Sequence, residues 1–153
     1  MLRVVFFGMD LDVLDELRSC SVHLAGAYLP PASYWIRKHF ASLLRLHPRI
    51  LEKCFGTVAV YGHLSDFLVK YNITALQSSD INGPEFLQTL TRLRPDLGIV
   101  SNFGQILGDR LLNIPKYGFI NFYPSLLPRY RGPSPLGHIL LNNEISPVQP
   151  GTV

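Results

Sequence analysis

Cysteine and charge are both scarce in this sequence. Its two cysteines, Cys20 and Cys54, stand far apart and without metal-ligand spacing. Neither a disulfide framework nor a zinc site is expected, and both read as reduced thiols. Charged residues make up 16% of the 153 positions against an apolar fraction of 47%, a balance that excludes disorder by composition. Long apolar runs are missing as well: nothing approaches the roughly 20 residues that cross a bilayer, so no membrane span is expected. Met1 to Gly8 begins in the manner of a secretory leader, but Asp10 and Asp12 cut the apolar run short, and a cytoplasmic location is expected. The formal charge of +3 comes from scattered Arg and Lys. That favours anionic ligands mildly and a nucleic-acid face only weakly. Internal repeats and low-complexity segments are absent.

What is present is an alternation of strand and helix signals in a chain about one domain long, residues 1–153. Arg3 to Phe7 is an apolar strand ending at Gly8. Met9 to Arg18 follows as a helix, with Leu11, Leu14 and Leu17 on one face and Asp10 as its cap. Val22 to Leu29 predicts a second strand, stopped by Pro30-Pro31, and Tyr34 to Leu51 a long helix kinked at Pro48. Further on come a short helix over Leu64 to Tyr71, a strand at Ile73 to Leu76, and a helix capped by Asn82 that ends before Pro95. Asp96 to Asn102 predicts a strand, Gln105 to Leu112 a helix, Tyr117 to Phe122 a strand, and Ser134 to Leu141 a last helix. Such alternation predicts an α/β fold: a doubly wound, mostly parallel, Rossmann-like sheet with helices on both faces. Ligands in such sheets lie at the carboxyl ends of strands, where Gly8, Ser101 to Gln105 and Asn121 to Ser125 all fall. Gly8-Met9-Asp10-Leu11-Asp12 lacks the glycine fingerprint of a dinucleotide site.

The most informative stretch runs Gly118-Phe119-Ile120-Asn121-Phe122-Tyr123-Pro124-Ser125-Leu126-Leu127-Pro128-Arg129-Tyr130-Arg131-Gly132-Pro133-Ser134-Pro135. Closely spaced prolines make it a rigid loop after an apolar strand, which is one way to preorganise polar groups. On spacing alone an ordinary structural connection is the alternative. The stretch resembles the signature of the folate-dependent formyltransferases: an apolar strand, Asn, any residue, His, then Pro-Ser-Leu-Leu-Pro. Asn121 and Pro124 to Pro128 match it, and Arg129-Tyr130-Arg131-Gly132 extends the likeness to the methionyl-tRNA and sugar-amine branches. Arg94 to Val100, followed by Phe103-Gly104-Gln105-Ile106-Leu107, is similar to the family's central strand and the loop lining its pteridine pocket.

The resemblance implies N10-formyltetrahydrofolate as co-substrate, bound by Phe103, Gly104, Gln105, Ile106 and Leu107; core packing is the alternative for Ile106 and Leu107. It implies transfer of the formyl group to a primary amine, carried by an aminoacyl-tRNA, an amino-sugar nucleotide or another acceptor. Asn121 would donate to the oxyanion that forms when the amine attacks. Tyr123 stands where the family has its catalytic His, and a phenol of reference pKa about 10 donates a hydrogen bond but does not become a cation near neutral pH. Ser125, Arg129 and Arg131 are the candidate substrate contacts, the arginines for a phosphate or carboxylate. The family's Asp follows this loop on a later strand, whereas the sequence ends at Gln149-Pro150-Gly151-Thr152-Val153. Asp and terminal strands are therefore expected to be missing, His138 reads as an ordinary helix histidine, and transfer is expected to be impaired. The alternative is a catalytically degenerate folate-binding or interaction protein of the same fold. An uncovered sheet edge would favour homo-oligomers.

Overall fold

The computed structural model describes residues 1–30, 62–125, 127–132 and 139. The helix expected over Tyr34 to Leu51, its kink at Pro48, Cys54, His138 and nearly all of the helix expected over Ser134 to Leu141 lie outside the described residues. The chain falls into two compact units, Met1–Asn121 and Phe122–Val153.

The first unit is built on the strand expected at its start. β1 (Leu2–Gly8) leads into α1 (Leu11–Ser19), whose cap is Asp10: its carboxylate accepts from the Val13 N–H at 3.3 Å. β2 (Val22–Tyr28) follows, and the described chain resumes in helix α2 (62–70). β3 is only Ala75–Leu76, shorter than the strand expected from Ile73, because the Ile73 N–H turns back to the Leu68 carbonyl at the end of α2. α3 (Pro84–Arg92), β4 (Leu97–Ser101), α4 (Asp109–Leu112) and β5 (Phe119–Phe122) complete it. The five strands form one all-parallel sheet in the order β3-β2-β1-β4-β5. It reverses direction between β1 and β4, whose ends meet at the Gly8–Ser101 pair.

Side chains along β1 alternate between two cores, as strand geometry requires. Val4 and Phe6 join Leu14 of α1 and Leu64 and Leu68 of α2 on one face. Val5 and Phe7 join Phe86, Leu87 and Leu90 of α3 and Leu111 of α4 on the other. Both faces of the sheet are thus covered by helices, and burial on both faces is why the strand reads as an unbroken apolar run. Gly8 closes it for a steric reason. A Cβ there would fall on the Ser101 carbonyl oxygen and 2.9 Å from its carbon, backbone atoms that cannot step aside. Gly8→Ala should therefore cost about 1–3 kcal/mol in urea denaturation. Gly62→Ala, whose Cβ meets nothing within 4 Å, should lose nothing.

Two further elements differ from their expected form. The helix expected from Gln105 begins only at Asp109, and residues 102–108 form a loop with Asn102 in the left-handed region at φ 50°. Asn82 does not cap α3; Gly83 does. Proline is favoured at the first position inside a helix, so Pro84 moves the cap one residue past Asn82.

Candidate functional site

At the reversal point of the sheet, β1 and β4 are tied by a polar contact as well as by their ladder. Ser101, 3% exposed, donates from Oγ to Asp10 Oδ2 at 3.1 Å. The other oxygen of the same carboxylate caps α1. Asp10 thereby joins the start of a helix to the end of a strand.

From β4 the chain enters the loop that holds all five residues expected to bind folate. Phe103 and Leu107 are partly buried against the core, and Phe103 meets Phe7 edge-on at 5.7 Å and Tyr28 at 5.3 Å. Core packing, the alternative for Leu107, therefore holds for that residue. It does not hold for Ile106, whose side chain is 87% exposed. Gln105 is anchored inward: its Nε2 donates to the hydroxyl of fully buried Tyr28 at 3.0 Å, and that hydroxyl donates to the Ser78 carbonyl at 2.7 Å. Among the described residues, the backbone N–H and C=O groups of Gly104, Gln105 and Leu107 make no hydrogen bond within the protein. Pairing within the protein is required of buried backbone groups; these lie on an exposed to half-buried loop and are accessible to water or to a ligand.

Asn121 lies in β5 and is exposed, and its side-chain amide has no hydrogen-bond partner among the described residues. The strand carries it because β5 sits at the sheet edge; Ile120 beside it is 51% exposed.

The second unit places Tyr123, Ser125, Arg129 and Arg131 on one turn of chain with Tyr130 at φ 54° and Gly132 at φ 114°. The Tyr123 hydroxyl lies 2.7 Å from the Gly132 carbonyl and 3.1 Å from that of Tyr130, so its single proton is shared between two backbone acceptors. Ser125 Oγ donates to the Arg129 carbonyl at 3.0 Å. Arg129 and Arg131 are exposed. Tyr123 and Ser125 thus hold the loop together from within. Tyr123→Phe should remove the first tie at a cost of about 0.5–1.5 kcal/mol, read as faster tryptic cleavage after Arg129 and Arg131.

Away from this loop, the pKa of the Arg18 guanidinium is raised, chiefly by its hydrogen bond to Asp15, and that of the Lys116 ammonium is raised, chiefly by its interaction with the Tyr117 hydroxyl. Among the described residues no group of His, Cys, Asp and Glu could hold a metal ion, and no helix is long and apolar enough to cross a membrane.

Sequence reading missed Asn82 and Tyr28 as supports of the 102–108 loop. The Pro84 signal was there to exclude Asn82 as a cap, but nothing local shows where its amide goes instead: Nδ2 donates to the Ile106 carbonyl at 3.0 Å, and Oδ1 accepts from the Gly108 N–H at 2.7 Å.

Comparison with known proteins agrees with this fold. The methionyl-tRNA formyltransferase of Acetivibrio thermocellus is 43% identical over 81 residues, 53% of this chain and 26% of the relative. That of Geobacter sulfurreducens is 49% identical over 75 residues, 49% of this chain and 24% of the relative. The matched stretch thus spans about a quarter of the length of these relatives. Among solved structures, glycinamide ribonucleotide transformylase 1 from Geobacillus kaustophilus superposes with a TM-score of 0.59 at 17% identity, over 95% of this chain and 70% of that one. Phosphoribosylglycinamide formyltransferase from Brucella melitensis does so with a TM-score of 0.60 at 17% identity, over 93% and 67%; these likenesses show the fold. A family model described as formyl transferase matches residues 64–144, more than half of the sequence and all of α3 to β5, and the chain belongs to the formyl transferase family.

Proposed function

We propose that this chain binds N10-formyltetrahydrofolate at residues 103–107 and takes part in moving its formyl group to a primary amine. The carrying observation is the row of backbone groups at Gly104, Gln105 and Leu107 that have no hydrogen-bond partner among the described residues, beside an Ile106 that is 87% exposed. A pterin offers a matching edge of donors and acceptors and a flat apolar face, and such a loop supplies partners for both. In the reaction the amine nitrogen attacks the formyl carbon and a new C–N bond forms. The carbonyl oxygen becomes an oxyanion and the attacking nitrogen gives up a proton; the C=O bond then re-forms as the bond to folate N10 breaks, N10 takes up a proton and tetrahydrofolate leaves. Asn121 is the candidate donor to that oxyanion, since its amide has no protein partner among the described residues. Arg129 and Arg131 are suited to an anionic acceptor. The curated relatives act on methionyl-tRNA by their names, and an aminoacyl-tRNA is the acceptor we favour. The cytosol is the compartment that fits, and the half-exposed β5 edge supports self-association.

A second reading, folate binding without turnover, is favoured by one observation. The Tyr123 hydroxyl faces two backbone carbonyls, and a neutral phenol so engaged is a poor proton carrier. The two readings separate in one pair of experiments on the purified chain: calorimetry with 5-formyltetrahydrofolate, and release of tetrahydrofolate from N10-formyltetrahydrofolate with methionyl-tRNA. Binding with turnover supports the first reading, and binding without turnover the second. No heat at about 1 mM ligand refutes both.

A further inference from the structure

Asn82 uses both ends of its amide on one short piece of backbone. Nδ2 donates to the Ile106 carbonyl at 3.0 Å, and Oδ1 accepts from the Gly108 N–H at 2.7 Å. The partners lie more than twenty residues away in sequence, so this is a tertiary clasp and not part of a helix cap. Asn82 is itself fixed: its N–H donates to Asp80 Oδ1 at 3.0 Å, and the neighbouring Ile81 is 1% exposed and anchored in the core. Gly108 is shaped to it, because a Cβ there would come within 2.9 Å of Asn82 Oδ1. At the other end of the loop, Gln105 is held by Tyr28, which bonds back to Ser78 in the same turn that carries Asp80 and Asn82. The unpaired groups of Gly104, Gln105 and Leu107 therefore lie on a segment tied down on both sides.

We propose that Asn82 is a positioning residue for the ligand loop: its clasp fixes the backbone of residues 104–107 in the arrangement that meets a pterin. This role rests on the reading of residues 103–107 as the folate-binding loop. Exposed hydrogen bonds such as these add little to global stability. What they do is order a loop before a ligand arrives, which spares the ligand the entropy of ordering it. The Ile106 carbonyl accepts from the clasp, which orients this peptide group relative to its neighbours.

The test combines assigned amide exchange at Gly108 with calorimetry using 5-formyltetrahydrofolate, on the wild type and on Asn82→Ala, Gly108→Ala and Thr89→Ala. The last removes another exposed side-chain bond, Thr89 Oγ1 to the Glu85 carbonyl, and serves as control. The expected result is slow exchange at Gly108 in the wild type, speeded about tenfold by Asn82→Ala, with folate binding weakened about tenfold by Asn82→Ala and by Gly108→Ala and unchanged by Thr89→Ala. Asn82→Asp keeps the acceptor for Gly108 and should retain its protection. If the wild type binds and Asn82→Ala binds equally well, the positioning role is wrong. It is equally wrong if Gly108 exchanges as fast in the wild type as in Asn82→Ala. A wild type that gives no heat while Gly108 stays protected instead removes the proposed function, and the ligand role of the clasp falls with it.

Discussion

Phe7→Ala should destabilise the protein by about 3–5 kcal/mol, a large part of the total stability of a domain this size. The ring is fully buried and stands at the centre of an aromatic group: stacked on Tyr28 at 6.0 Å and edge-on to Phe86 at 6.1 Å, Phe103 at 5.7 Å and Phe119 at 5.7 Å. Removing it leaves a cavity that four rings cannot all collapse into, because Tyr28 is held by its own hydroxyl and Phe119 by its strand. In the folate-binding reading the loss should extend to function, since Phe103 and Gln105 of the proposed ligand loop both rest on this group. Chemical denaturation followed by circular dichroism measures the first effect. Phe7→Leu, which keeps most of the volume, should cost clearly less; an equal cost for both would mean that the ring contacts, and not the volume filled, are what the site requires.

Asn121→Ala tests the proposed chemistry with the opposite signature. In the formyl-transfer reading the amide donates to charge that exists only in the transition state. Its removal should lower kcat by about 10²–10³-fold and leave KM for the formyl donor nearly unchanged. Because the side chain is exposed on β5 with no protein partner among the described residues, stability should shift by no more than about 0.5 kcal/mol. Activity and stability are thereby separated. An Asn121→Ala variant with normal kcat would exclude the oxyanion role, and one that unfolds would show that Asn121 is structural. Asn121→Asp should be as impaired as alanine, since a carboxylate accepts where a donor is required.

Much of this protein was readable from residue order alone. The apolar run from Val4 to Phe7 ending in Gly8, the Asp10 cap, the strand from Val22 and the strand at Leu97–Ser101 are local patterns, and each formed where its periodicity placed it. The Asn121 to Pro128 signature pointed to the family from residues next to one another. The errors have two causes, one long-range and one local. Gln105 to Leu112 has helical spacing, yet its first four residues form a loop because Gln105 is held by Tyr28 and the Ile106 carbonyl by Asn82, partners that no local window contains. Asn82 suits a cap by type, but Pro84 gives that position to Gly83, and its amide bonds across to Ile106 and Gly108.

Periodicity, caps and turn residues act within a few positions of chain, so the sequence by itself determined which segments become strands and helices and which family signature they carry. The order β3-β2-β1-β4-β5, the burial of Phe7 among four rings, the course of the 102–108 loop and the Asn82 clasp depend on groups tens of residues apart. Only tertiary packing brings those groups within hydrogen-bond or van der Waals reach, and so only the folded structure decided them.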